Sequence, residues 1–205
     1  MVYWIIGIGI ITISLVVLFL IQFYRDPKRI IPQGTVIVSP ADGTIINIQR
    51  ITSKKTTIKK PTGGSIETLA SEISNDSYLI SIFMSPFNAH INRAPIEGTI
   101  TKTQYKKGKF FAAYDLKKSL QNEKNEIVIE NKAIGKIKVI QIAGFLARRI
   151  FCFVSKGQKV NKGAKIGRIA LSSQTTMIMP AKKITLMVKK GSKVKAGSSI
   201  IARYQ

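Results

Sequence analysis

From Val2 to Phe23 the chain carries no charged side chain, and the only polar or interfacial groups in that run are Tyr3, Trp4, Thr12, Ser14 and Gln22. Twenty-two residues wound as a helix reach about 33 Å, enough to cross a hydrocarbon core of about 30 Å. Aromatic residues stand at both ends of the run, Tyr3 and Trp4 at one and Phe23 and Tyr24 at the other, as a membrane interface favours. A cleaved signal peptide would need a basic start, a shorter apolar core and a small-residue cleavage site. Here no Lys or Arg precedes the run, and it ends at Tyr24-Arg25-Asp26-Pro27-Lys28-Arg29. The reading is a retained single-pass anchor at residues 1–24. Basic residues follow the span on one side only, which places residues 25–205 on the cytoplasmic side of the cell membrane.

Residues 25–205 read as mainly β. Thr35–Val38 and Thr44–Ile48 flank the turn Ser39-Pro40-Ala41-Asp42-Gly43, and Tyr78–Met84 is a continuous apolar run of the buried-strand kind. Thr99–Tyr105, Glu126–Glu130 and Gly135–Ile142 complete the stronger strand signals. Helix signals are weak, at 67–73 and 115–121, and the Lys-rich segment 52–65 reads as a surface loop. One repeat is plain. Val154–Ile166 and Val188–Ile200 share V-x-K-G-x-K-V-x-x-G-x-x-I, with Gly157 and Gly191 at tight-turn positions. Such hairpins occur in barrel-sandwich folds like biotinyl and lipoyl carriers. The expected architecture is therefore an α+β, mainly β barrel-sandwich-like domain with carrier-like hairpin repeats, plus one transmembrane helix.

Counts narrow the chemistry. Among 205 residues there is one His and one Cys, so neither an intrachain disulfide nor a Cys/His zinc site is available within the chain. Lys and Arg number 33 against 10 Asp and Glu, a formal charge of +23. No acid follows Glu130, which disfavours a carboxylate-pair hydrolase with a partner in the last third. So basic a chain suits an anionic partner. The Lys residues are spread among Ile-rich strands without a nucleic-acid recognition motif, and a membrane anchor points to anionic lipid, not nucleic acid.

Three segments hold reactive side chains. Asp42 lies in the Ser39–Gly43 turn, where an Asx turn is its bland role. Ser85-Pro86-Phe87-Asn88-Ala89-His90-Ile91-Asn92-Arg93-Ala94-Pro95 carries the only His, which in isolation reads as structural. Ser172 and Ser173 end an apolar run, where serines ordinarily make a polar turn. Together they supply the Asp, His and Ser that an activated serine nucleophile uses.

In order along the chain, these motifs resemble the short, single-span type of phosphatidylserine decarboxylase proenzyme. The likeness runs from about Tyr24 to the end. It includes Tyr24–Arg29, Val38–Gly43, Met84–Pro95, Gly108-Lys109-Phe110, Asn122-Glu123-Lys124-Asn125 and Gln141–Ile150. The resemblance implies a self-processing pyruvoyl enzyme. Ser173 would attack the carbonyl of Ser172, cut the chain into residues 1–172 and 173–205, and become a pyruvoyl group on the smaller chain. Asp42 and His90 would serve cleavage and proton transfer. A Schiff base between that group and phosphatidylserine would let CO₂ leave, giving phosphatidylethanolamine without a metal. The partners implied are an anionic phospholipid, the membrane and the two cleaved chains held together, with a homo-oligomer left open. Two departures stand out. Ser172-Ser173 replaces the family's usual Gly-Ser, and His90 has Arg93 where longer relatives carry a second His. An unprocessed inactive relative, or a barrel-sandwich membrane adaptor without catalysis, are the alternative readings.

Overall fold

The computed structural model describes residues 2–52, 72–107, 123–143, 149–169 and 173–205. The expected helices at 67–73 and 115–121, the loop at 52–65 and Ser172 lie wholly or mostly outside those residues. Val2–Tyr24 is one α-helix, α1, apolar on every side. Thr12 and Ser14 donate back to the carbonyls of Ile8 and Ile10 at 2.9 and 2.8 Å, so their hydroxyls are satisfied within the helix. That is what a hydrocarbon surrounding requires. Phe23, in the last turn, is buried against the β domain, whereas the rest of the helix is largely exposed.

The remaining described elements are strands. They are β1 (Val36–Val38), β2 (Gly43–Thr52), β3 (Asp76–Met84), β4 (Ile91–Arg93), β5 (Gly98–Lys106), β6 (Lys124–Asn131) and β7 (Gly135–Ile142), followed by β8 (Ile150–Cys152), β9 (Lys159–Val160), β10 (Lys165–Ile169), β11 (Ser173–Pro180), β12 (Ile184–Leu186), β13 (Lys193–Val194) and β14 (Ile200–Tyr204). An eight-stranded sheet runs β13-β2-β3-β11-β7-β6-β5-β9, and two three-stranded sheets run β1-β14-β12 and β4-β10-β8. Every pairing is antiparallel. The chain is thus mainly β with one N-terminal helix. Ile dominates the core: Ile45, Ile80, Ile82, Ile100, Ile127 and Ile137 are fully buried in one cluster. A β-branched side chain packs well on a pleated, half-covered surface.

The strand orders reveal a duplication deeper than the hairpin repeat. Strands β4 to β10 form one unit without interruption. Strands β1–β3 and β11–β14 form a second, with the first inserted between β3 and β11. Reading the large sheet inward from its two edges gives β13-β2-β3-β11 and β9-β5-β6-β7, and each unit closes one small sheet. The match holds residue by residue. Gly43 and Gly98 each press against the carbonyl of the adjacent strand, Phe83 in one unit and Glu130 in the other. The Gly157 and Gly191 amides donate to Ile100 and Ile45, both at 2.8 Å. Phe83 pairs with Gln174 and Glu130 with Lys136, so Thr176 corresponds to Lys138 and Ile178 to Ile140. The pairs Thr176↔Ile140 and Ile178↔Lys138 across β11 and β7 then exchange, as a local two-fold axis demands. By the same count Ser173 corresponds to Gly135, at the end of the tight β6–β7 turn. The whole β4–β10 unit occupies the place of that turn in the outer unit.

The glycine contacts test this close approach. A Cβ at Gly98 would overlap the Glu130 carbonyl, which is backbone and cannot swing aside. Gly98→Ala should cost at least about 2 kcal/mol in detergent-solubilised protein. Gly9→Ala, where no atom lies within 4 Å of the added methyl, should leave the unfolding midpoint nearly unchanged. Equal midpoints for the two variants would contradict the packing described.

Candidate active site

Ser173 opens β11 opposite Met84 at the end of β3, and its side chain is fully buried. Its Oγ donates to the Met84 thioether at 3.5 Å, and Thr175 Oγ1 meets the same sulfur at 3.4 Å. A thioether is a weak acceptor. The Ser173 oxygen is therefore dry and not engaged by a strong hydrogen bond. Below it runs a chain of buried side chains. Asn125 Nδ2 donates to Gln141 Oε1 at 2.8 Å, Gln141 Nε2 to Asn92 Oδ1 at 2.9 Å, and Asn92 Nδ2 to Thr175 Oγ1 at 2.9 Å. Gln141 and Asn92 each use the oxygen on one neighbour and the nitrogen on the next, so their orientations fix one another. Gly167 makes room: a Cβ there would collide with Gln141 Nε2.

His90 lies just before β4 and is 1% exposed. Its Nδ1 is 2.8 Å from the Asn88 carbonyl. A carbonyl only accepts, so Nδ1 carries the hydrogen and Nε2 presents a lone pair. Among the described residues Nε2 has no hydrogen-bond partner. The imidazole is covered by Phe23 of α1, ring centroids 4.2 Å apart. Burial pushes the His90 pKa down to about 4, against the opposing pull of the Asn88 carbonyl and the Asp42 charge. At neutral pH the ring is uncharged, with a free basic nitrogen.

Asp42 does not hold that ring. Its carboxylate takes a two-pronged contact from Arg29, at 2.9 and 2.8 Å, and the Ala196 amide at 2.7 Å. The role of orienting the imidazole falls to the Asn88 carbonyl. Asp42 instead ties the segment after α1 to the β13–β14 turn. Neighbouring contacts fasten the same segment. Arg25 donates to the Phe87 carbonyl at 3.1 Å, and Asp26 pairs with Arg93 at 2.6 Å and with Lys165. Arg168 lies over the Tyr24 ring at 5.4 Å.

Backbone pairing brings the candidate residues to one end of the sheet. The Ile169 amide donates to the His90 carbonyl at 3.2 Å. Ser173 follows four residues later, at most about 14 Å along the chain. No hydrogen bond joins Ser173, His90 and Asp42 to one another. Among the described residues no group of three or more His, Cys, Asp and Glu is placed to hold a metal. Met84, Asn92, Thr175, Gln141 and Asn125 escaped the sequence reading as parts of the site. Their signal was polar residues inside otherwise apolar strands, as in Val139-Ile140-Gln141-Ile142.

The His90 burial has a pH signature. The unfolded chain binds a proton at His90 below about pH 6.5 and the folded one only below about 4, so stability falls as pH drops through that window. The loss should reach on the order of 3 kcal/mol by pH 4. His90→Gln should flatten that part of the profile in denaturant titrations. An unchanged slope would contradict the neutral, buried ring.

Comparison with known proteins gives this arrangement a family. The phosphatidylserine decarboxylase family model matches residues 16–202. A phosphatidylserine decarboxylase proenzyme of Chlorobium phaeobacteroides is 43% identical, over 92% of this chain and 81% of that one. Its counterpart in Pelodictyon phaeoclathratiforme is 38% identical, over 95% and 83%. A Methanocaldococcus jannaschii protein, named provisionally as an archaetidylserine decarboxylase proenzyme, is 39% identical over 94% and 93%. The chain belongs to the phosphatidylserine decarboxylase family, whose members are pyruvoyl-dependent lyases made as proenzymes.

Proposed function

We propose that this protein is a membrane-anchored, self-processing decarboxylase that converts phosphatidylserine to phosphatidylethanolamine and CO₂. The observation that carries the reading is Ser173. It is a buried hydroxyl without a strong hydrogen bond, at the first residue of a strand locked on both sides. The peptide bond before it closes the excursion through the inserted unit.

The chemistry of self-cleavage follows from those groups. The Ser173 Oγ adds to the Ser172 carbonyl carbon, the C–N bond breaks, and the hydroxyl proton ends on the freed Ser173 nitrogen. The ester so formed loses the Ser173 Cα proton and expels the Ser172 carboxylate. Water then replaces the nitrogen at Cα and ammonia leaves. His90 Nε2, with its lone pair unoccupied, is the imidazole that can accept and return protons. A base with so low a pKa stays unprotonated at neutral pH, ready to accept but weakly basic. The residues fit the pyruvoyl group the family carries: residue 173 would bear it, in a buried setting lined by Met84 and Thr175. That group supplies an electron sink for the electrons left when CO₂ departs. Around it, the chain's own part is to keep water out and to return a proton to the substrate carbon, a task we assign to His90. Asp42 acts through Arg29 and Ala196, positioning the segment after α1, whose last turn lays Phe23 over the imidazole.

The helix supports an anchor, and Arg25, Lys28 and Arg29 after it support a cytoplasmic catalytic domain. The strap from Arg25 to Arg29 is bonded to the site's own loops, which supports a domain held close to the bilayer surface. The paired glycine-turn hairpins, each closing a small sheet, support the barrel-sandwich-like description with carrier-like repeats.

Carbonate-washed membranes from cells expressing the protein should convert added phosphatidylserine to phosphatidylethanolamine, read by thin-layer chromatography of labelled lipid. Ser173→Ala membranes should give none, and His90→Ala should lower turnover at least about a hundredfold. Product from Ser173→Ala, or activity only in the wash, would defeat the reading.

A further inference from the structure

The internal duplication supplies a control for any site near Ser173, because each surface has a counterpart in the other unit. Beside the start of β2 and the end of β3 lies a cavity of about 500 Å³, walled by Arg25, Asp42, Phe83, Asn88, Lys193 and Lys195 among others. Its counterpart beside β5 and β6, about 360 Å³, is walled at the matching positions by Glu97, Glu130, Lys159 and Asn161, with Lys132 at its edge. Asp42 matches Glu97, Phe83 matches Glu130, Lys193 matches Lys159, and Lys195 matches Asn161.

The two cavities share a backbone and differ in charge. In the inner unit two carboxylates and two lysines, Lys132 and Lys159, line the cavity. At the matching positions of the outer unit Phe83 stands in place of an acid and Lys195 in place of a neutral amide. The remaining acid, Asp42, is neutralised by Arg29. Among the described residues Lys193 and Lys195 have no ion-pair partner. Arg25 donates only to the carbonyls of Gln22 and Phe87. Three cations thus face one cavity without a free carboxylate among them.

Position ties this cavity to the chemistry. Ser85, in its wall, follows Met84, the contact of Ser173. Asn88, also in the wall, accepts from the Ser85 amide and hydroxyl through Oδ1 at 2.8 and 2.9 Å, while its carbonyl seats His90. Arg25 is the first residue after α1, so the cavity wall includes the chain just beyond the apolar helix. Resting on the functional reading above, we infer that this cavity binds the phosphate diester of the lipid headgroup through Lys193, Lys195 and Arg25. The serine moiety is thereby directed toward residue 173. Charge-assisted hydrogen bonds from flexible ammonium groups suit a phosphate whose lipid tails stay in the membrane.

The test uses full-length protein in neutral detergent with short-chain phosphatidylserine. Lys193→Gln/Lys195→Gln should self-cleave normally by intact mass, keep kcat within about twofold, and raise KM about tenfold. Lys159→Gln, in the counterpart cavity, should change neither constant. Unaltered KM in the double variant would overturn the assignment. So would an equal rise in Lys159→Gln, since that would signify general attraction to charge. Short-chain phosphatidylglycerol, which keeps the diester and lacks serine, should compete against wild type and lose potency against the double variant. Competition by inorganic phosphate alone would mean a free-phosphate site and would also overturn it. Should wild type cleave yet release no CO₂, the functional reading fails separately. The cavity is then judged by equilibrium binding of the phosphatidylglycerol, with the same order of variants expected.

Discussion

Everything at the candidate site depends on β11 being held from both sides. Its residues pair with β3 from Ser173 to Pro180 and with β7 from Gln174 to Ile178. Met177, Ile178 and Met179 are fully buried. Each such side chain contributes roughly 1.5–3 kcal/mol by leaving water. After β11 the chain goes on to pair β12 with β14, β14 with β1, and β13 with β2. Residues 173–205 are therefore woven into two sheets. The proposed break ahead of Ser173 would leave residues 173–205 held by these pairings to the rest of the chain.

The nesting of one unit inside the other puts the proposed cut at the junction where the chain re-enters the outer unit. In the inner unit β6 turns directly into β7 through Asn131–Gly135. In the outer unit that turn has opened to admit the whole of β4–β10. Residues 85–90 leave the sheet after β3 and carry His90, and the chain is back in the sheet at Ser173, the first residue of β11. The two units differ in charge at the same boundary: Glu130 lines a cavity with Lys132 and Lys159, and Phe83 stands at the matching position next to Met84.

Much of this was legible in the sequence. The N-terminal helix was, because a long charge-free apolar run favours one. The strands from Tyr78 and Gly135 were, because burial on both faces or regular turns mark them. The hairpin repeat at Val154 and Val188 was, because glycines at fixed spacing are demanded by positive φ, here 89° at Gly157 and 90° at Gly191. The nesting was not read. Its second signature, Ser39-Pro40-Ala41-Asp42-Gly43-Thr44-Ile45 against Ala94-Pro95-Ile96-Glu97-Gly98-Thr99-Ile100, was present but only half of it is shared. Nor could spacing show that Phe23 of the helix covers His90, that Asp42 binds Arg29 instead of the imidazole, or that Asn92 and Gln141 join under Ser173. These are contacts between residues far apart in the chain, fixed by strand order and not by local pattern.

The central claim is that the Ser172–Ser173 bond is cut by the protein's own residues. Intact-mass analysis of wild-type protein purified under denaturing conditions tests it directly. The account predicts two chains, residues 1–172 and residues 173–205, the second of 33 residues with its first residue converted to a blocked keto group. A single uncut chain of 205 residues, with the Ser173 nitrogen still in its peptide bond, would contradict it.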